Sequence, residues 1–218
     1  MESVDADVWV LTEAHLDRSP GDGYEAVFSP EHTQRRPGRE RWTAVWSRYP
    51  IVETPEVPGN RRGTVAAVVD APPGPILVYG TVIAWANEKH FDDGRPARMW
   101  EVHRAEIERQ AHEWSALRSA YPRVPLIVAG DFNQSRDGSR WYGEQRSRNA
   151  LTEHLSSVRL RCVTEEDFAA SGRLTGHLVD HICVSDDVKV GKVEVWDRCD
   201  DAGQRLSDHP TVAVDLDL

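Results

Sequence analysis

The stretch Leu126 to Ser135, Leu-Ile-Val-Ala-Gly-Asp-Phe-Asn-Gln-Ser, concentrates residues that can do chemistry. Asp131 and Asn133 follow the apolar, branched run Leu126–Ala129 with one residue between them. On extended backbone, side chains so spaced point the same way, so the carboxylate and the amide share a face. A carboxylate beside a neutral amide at a strand's end can hold a hard cation or orient a water. Asp, Asn and Gly are also common turn residues, so the decapeptide alone leaves both readings open.

Three other places carry acid or imidazole groups at the ends of apolar runs. Glu13 lies two residues past Leu11, which closes the run begun at Asp7. Asp180 lies among Val179, Ile182 and Val184, and a carboxylate inside an apolar strand is costly without a partner. Asp208 and His209 immediately precede the apolar stretch Thr211–Leu216. An Asp–His hydrogen bond would stabilise an imidazolium and raise its pKa near neutrality.

The elements that must position these groups are mostly strands. Strand-like runs fall at Asp7–Leu11, Tyr24–Phe28, Thr43–Trp46, Thr64–Val69, Ile76–Ile83, Leu126–Ala129, Val158–Val163, Val179–Val184, Val188–Val195 and Thr211–Leu216. Trp100–Ala120 has helical spacing, with Val102, Ile107, Trp114, Leu117 and Ala120 on one side and Glu, Arg and Gln opposite. Pro122 and Pro125 end it. A second helix is expected over Arg148–Ser157, and Thr164 with Asp167 suggests a short capped turn. About ten strands with a few helices indicate an α+β layered domain, two sheets face to face with helices outside.

At 218 residues, 39% hydrophobic and 28% charged, the chain suits one globular domain over 1–218 with a sizeable core. Glu2, Asp5 and Asp7 stand where a secretory signal needs a basic start. No apolar stretch nears the roughly 20 residues that span a bilayer. Cys162, Cys183 and Cys199 lack metal-site spacing and read as buried free thiols. We therefore expect a cytoplasmic protein with no membrane segment and no evident protein partner. The net charge of −10 argues against non-specific duplex binding. Arg35, Arg36, Arg39 and Arg41, then Arg61 and Arg62, form a local basic cluster, read as a solvated loop or a phosphate-contacting one.

The segments Asp7-Val8-Trp9-Val10-Leu11-Thr12-Glu13, Ser47-Arg48-Tyr49-Pro50-Ile51, Gly130-Asp131-Phe132-Asn133, Val179-Asp180-His181-Ile182 and Ser207-Asp208-His209-Pro210 stand in the order seen in the endonuclease/exonuclease/phosphatase superfamily, which the chain resembles over nearly its whole length. The resemblance implies a four-layer α/β/β/α sandwich with two mainly antiparallel sheets, and a metal-dependent phosphoester hydrolase. It implies that Glu13 and Asp208 bind metal, that Asp131 positions or deprotonates the attacking water, and that Asn133 orients that water or the phosphate. It further implies that His209 donates to the scissile phosphate and that Asp180 orients His209. Such an all-oxygen ligand set favours Mg²⁺ or Mn²⁺ over zinc. His181, next to Asp180, should face away from this set.

Two departures from the family pattern stand out. Relatives begin with an extra strand ending in an asparagine, and here the strand at Asp7 starts within ten residues of Met1, so the first family strand is missing from this sequence. Many relatives also end the Ile76–Trp85 strand with Thr-His, where this chain has Gly80-Thr81-Val82-Ile83-Ala84-Trp85. Tyr79 and Trp85 read as packing residues there, and Asn87 and His90 as the other possible substitutes, with His90 in an exposed loop. Trp141 and Tyr142 read as loop-packing aromatics with a base-stacking alternative, and Asp137 as part of a turn. The functions that follow are a nuclease-like phosphodiesterase acting on a phosphoester such as a nucleic acid or nucleotide, a small-molecule or lipid phosphatase, or a protein with an incomplete site. The segment from Trp85 to Met99 carries no pattern that selects among substrates.

Overall fold

The computed structural model describes residues 4–31, 40–57, 63–72, 74–200 and 202–218. In chain order its elements are β1 (Val8–His15), β2 (Glu25–Phe28), β3 (Glu40–Ser47), β4 (Ile51–Glu53), β5 (Val65–Ala71), β6 (Gly74–Val82), α1 (Glu101–Ala120), β7 (Leu126–Asp131), α2 (Gln145–Ser157), β8 (Leu160–Cys162), β9 (Asp180–Ser185), β10 (Lys189–Trp196) and β11 (Thr211–Asp217). A six-stranded sheet runs β4-β5-β6-β7-β9-β8, and two smaller sheets run β1-β3-β2 and β10-β11. The fold is mixed α+β. No helix among the described residues is long and apolar enough to cross a membrane.

Alternation along the strands builds the layers. Leu77, Tyr79, Leu126, Val128 and Cys183 face both helices, where Ile107, Trp114, Leu117, Leu151 and Leu155 meet them. Val78, Ile127 and Val184 face the other way, onto Val8, Val10, Val45 and Leu216 of the smaller sheets. The outer face of the three-stranded sheet carries Trp9, Ala44 and Trp46 with Phe28 edge-on to Trp46. β1 packs across β6 and β7, while β11 packs across β9. Among the described residues each pairs on one side only, β1 with β3 and β11 with β10.

One pairing decides where the chemistry lies. β6 and β7 are parallel, and parallel neighbours need a long crossover, which α1 supplies. The two strands therefore end at the same rim, with Val82 opposite Asp131. β9 runs antiparallel to β7, so its first residue, Asp180, faces Asp131 at that rim.

The helix prediction needs one correction. Glu106, Gln110 and Glu113 were expected on the solvent side of α1 and are buried, as is His103, whereas Ala120 is exposed. Their spacing forms a stripe beside the apolar one. It meets polar groups of the sheet: Thr81 donates to Gln110 (2.8 Å) and the Tyr79 hydroxyl to Glu113 (2.5 Å). Arg109 pairs with both Glu106 and Glu113, which offsets the cost of burying them. Burial pushes the Glu113 carboxyl up, against the pull of Arg109 and the Tyr79 hydroxyl.

Candidate active site

Asp131 ends β7 and is 8% exposed. Gly130 makes that ending possible: its φ is +137°, and a Cβ there would lie 2.0 Å from the Thr81 carbonyl. Two residues on, Asn133 sits in the left-handed region (φ 48°), which Asn tolerates better than most residues. The turn aims Asn133 back at the carboxylate. Its backbone N–H donates to Asp131 Oδ1 (2.8 Å), and its side-chain amide donates to Oδ2 (2.7 Å) and to the Ile83 carbonyl (2.9 Å). The amide thus fixes the carboxylate, a role the sequence did not assign it.

His209 reaches the same place from the turn before β11. Its Nδ1 lies 2.7 Å from Asp180 Oδ2 and must donate, since a carboxylate only accepts. That hydrogen bond holds the imidazole pKa up at about 9 against partial burial, with added help from the charges of Asp180, Asp131 and Asp208. Asp131 moves the same way for different reasons. Burial first, then the facing charge of Asp180, raises its pKa well above the carboxylate range, while His209 pulls it down. Asp131, Asp180 and His209 each bring a ligand atom within 4.8 Å of the others.

Asp131 and His209 open onto a cavity of about 260 Å³ that Asn133 and Glu13 also line, together with Trp42, Trp85 and two further glutamates, Glu88 and Glu106. Glu13 interrupts β1 with φ at +52°, a strained conformation for a glutamate within a strand. The pairing of β1 with β3 skips it, between Thr12–Thr43 and Ala14–Arg41. Asp208 is exposed and absent from the lining, and its charge is felt at His209. The structure therefore brings five of the six expected residues together: three line the cavity with Asp131, and Asp180 holds His209.

Sequence reasoning missed Trp42, Glu88 and Glu106, and misjudged Trp85. Trp85 was expected to pack, yet it is 49% exposed and lines the cavity. The only available signal was the register of Glu106 with His103 and Gln110. Tyr79 is fully buried, and Asn87 and His90 are exposed outside the lining, so none of them takes the place of the family's strand-end histidine. His181 faces the helices, with Nε2 donating to the Gln134 carbonyl (3.1 Å) and Nδ1 3.1 Å from the Thr164 hydroxyl. Arg35, Arg36, Arg39, Arg61 and Arg62 lie outside the described residues, and Arg41 donates to the Glu40 carbonyl.

The cavity's donors suit a hard divalent cation. Glu13 and Asp131 present carboxylate oxygens to the cavity, and Asp180 faces Asp131 from the neighbouring strand. A 2+ charge would relieve the repulsion that now favours a proton on Asp131.

Solved structures with the same fold are distant in sequence. A Neisseria 3′ phosphatase bound to a product DNA hairpin superposes with a TM-score of 0.66 at 19% identity, over 97% of this chain and 89% of that one. An AP endonuclease from Archaeoglobus fulgidus gives 0.66 at 15%, over 97% and 89%. The catalytic domain of human Nocturnin with a bound sulfate gives 0.63 at 17%, over 97% and 80%. No curated protein sequence matches the chain. The sequence profile of the Endonuclease/Exonuclease/phosphatase family matches residues 1–209, and the chain belongs to that family of phosphoester-hydrolysing enzymes.

Proposed function

We propose that the chain, acting as one catalytic domain, is a Mg²⁺- or Mn²⁺-dependent phosphoester hydrolase, and specifically a nuclease-like phosphodiesterase. The observation that carries this reading is the meeting of Asp131 and His209, the latter held by Asp180, at a cavity that Glu13 and Asn133 also line. Glu13 and the Asp131–Asp180 rim would hold the cation, which when bound offsets charge on phosphoryl oxygens. Asp208 enters through its charge on His209, and as a metal ligand only from the solvent side.

The chain's own groups divide the remaining work. Asp131, fixed by Asn133 at the cavity wall, accepts a proton from the attacking water. Asn133 keeps that carboxylate from rotating. His209 stays an imidazolium at neutral pH and has Nε2–H to donate to a phosphoryl oxygen, because Nδ1–H is committed to Asp180. Trp42 and Trp85 flank the site and suit a flat or apolar leaving group.

Hydrolysis of a chromogenic bis-phosphodiester and of the matching monoester, with Mg²⁺, with Mn²⁺ and after EDTA, tests the proposal. Metal-dependent cleavage of the diester supports it. Cleavage of the monoester alone replaces it with the phosphatase reading. A folded protein inert on both with either metal overturns it.

A further inference from the structure

Just beyond the Asp131–Asn133 turn, the chain closes a second cavity of about 150 Å³ between residues 135–140 and the first turns of α2. Its lining holds three guanidinium groups, Arg136, Arg140 and Arg148, with Ser135, Gln145 and Thr152, and no carboxylate. In a protein of net charge −10 this is a concentration of one sign against the average.

Two of the arginines are built in. Arg148 Nη1 donates to the carbonyls of Tyr142 (3.3 Å) and Gly143 (2.8 Å), while its Nε is buried with no hydrogen-bond partner. Gly143 makes room for it: its φ is +112°, and a Cβ there would sit 2.9 Å from Arg148 Nη1. Arg136 is held by Thr152 (3.3 Å) and by Glu165 (2.6 Å), which is half exposed. Arg140 makes no hydrogen bond or ion pair among the described residues. Ser135 and Tyr142 lock the loop that carries it, the Ser135 N–H donating to the Tyr142 carbonyl (2.8 Å) and the Tyr142 N–H to Ser135 Oγ (3.2 Å).

The helix adds to the same field. Gln145, the first residue of α2, lines the cavity, no acidic residue occupies the first turn, and the N-cap Glu144 makes no side-chain capping bond. Glu144 turns instead to Arg104. The positive end of the helix dipole and three cations thus converge on one small space, where Glu165 offsets Arg136 and no carboxylate among the described residues pairs with Arg140 or Arg148. Guanidinium forks match the paired oxygens of a tetrahedral oxyanion, and the volume admits one with a few waters of roughly 30 Å³ each.

We propose that this cavity is a phosphoryl-binding site, taking a phosphate group either free or carried on a nucleotide or nucleic-acid strand. The inference is independent of the hydrolase reading, since none of these residues lines the Asp131 cavity.

The test is a titration of ¹⁵N-labelled protein with inorganic phosphate in EDTA, followed by amide shifts. Saturable shifts at Gly138 and Gln145 are expected, weakened at least tenfold by Arg140→Glu, while shifts around Asp131 and Asn133 titrate as in the parent. Arg148→Lys, which keeps the charge and loses the fork, should weaken binding by less. Repeating the titration with a nucleoside 5′-monophosphate and a short single-stranded oligonucleotide separates the sources. Equal affinities point to the free anion, and tighter oligonucleotide binding that Arg140→Glu abolishes points to a strand phosphate. Shifts confined to the Asp131 cavity, or unchanged affinity in Arg140→Glu with a native spectrum, overturn the proposal.

Discussion

The trio of Asp131, Asp180 and His209 has a near copy in the same fold, Asp137, Asp167 and His177, whose ligand atoms also lie within 4.8 Å of one another. Both contain an Asp–His pair, 2.7 Å between His209 and Asp180 and 3.0 Å between His177 and Asp137. Their surroundings send the key carboxyl in opposite directions. Asp137 is partly buried, which alone would raise its pKa, but hydrogen bonds from the Ser139 hydroxyl and N–H and from His177 outweigh that and lower it. Asp131 is buried more completely and faces a second carboxylate across paired strands, and its pKa rises. His177 is also covered, with the Trp141 ring stacked on it at 5.4 Å, whereas His209 opens onto a cavity. Identical residue types therefore make a turn lock in one place and the candidate site in the other. The balance of burial and a facing carboxylate against local donors decides which.

Paired substitutions break or sharpen this contrast most strongly at the two aspartates. Asp131→Ala is expected to lower metal-dependent hydrolysis by roughly a thousandfold or more, within the range of a lost general base and a lost electrostatic anchor. Asp137→Ala should leave kcat/KM within about twofold, the size of change expected away from reacting atoms. Steady-state kinetics on the diester, with circular dichroism to confirm folding, measures both. Equal losses would mean that the second trio belongs to the site.

A third histidine shows what burial does without a carboxylate hydrogen-bonded to the ring. His103 is fully buried, and burial lowers its pKa to about 4, opposed by its hydrogen bond to the Ala84 carbonyl. Its folded pKa lies below the ordinary 6.5, so between those values the unfolded chain binds the extra proton. Stability from this group is present above pH 6.5 and falls as pH drops through the window, by up to about 3 kcal/mol at pH 4. Urea unfolding across that range checks it, and His103→Gln should flatten the slope.

Next in size is the His209 pair. His209→Gln should cost roughly a hundredfold in activity, as loss of one transition-state donor does. Asp180→Asn acts through the imidazole: in metal-free protein the His209 pKa, read by NMR, should fall from about 9 toward 6.5. An unchanged titration would show that Asp180 does not hold the ring.

The contrast also explains what the sequence could reveal. Every expected strand is present, because branched residues between Gly, Pro and charged punctuation mark strands by local pattern alone. β4 was not anticipated, since three residues carry no period. Gly130, Asp131, Asn133 and Asp180 were legible because they sit contiguous with strands whose ends define a rim, and Glu13 and His209 through the family's order of motifs. Trp42, Glu88 and Glu106 were not, because a cavity wall is assembled from β3, a loop and α1, which no local window spans. Glu106 also hid among residues that looked like an ordinary solvated helix face. The Arg136–Arg148 cavity stayed invisible for the same reason: its arginines read singly as surface charge, and only the turn at Gly143 brings them together.

The smallest effect belongs to His177. Its imidazole ties the 137–139 turn to the segment before β9 through Asp137, and it supports the exposed Trp141 ring. Deleting such a tie removes one charge-assisted hydrogen bond in a partly exposed place, so His177→Gln should cost about 1 kcal/mol in stability. Activity should hold within about twofold, because no residue of the second trio lines the Asp131 cavity. A chemical denaturation midpoint set beside kcat/KM reads both quantities on the same preparation. If His177→Gln instead lost activity on the scale of His209→Gln with stability intact, the balance of burial, charge and donors would not be what separates the two trios, and Asp137 would have to be counted among the reacting groups.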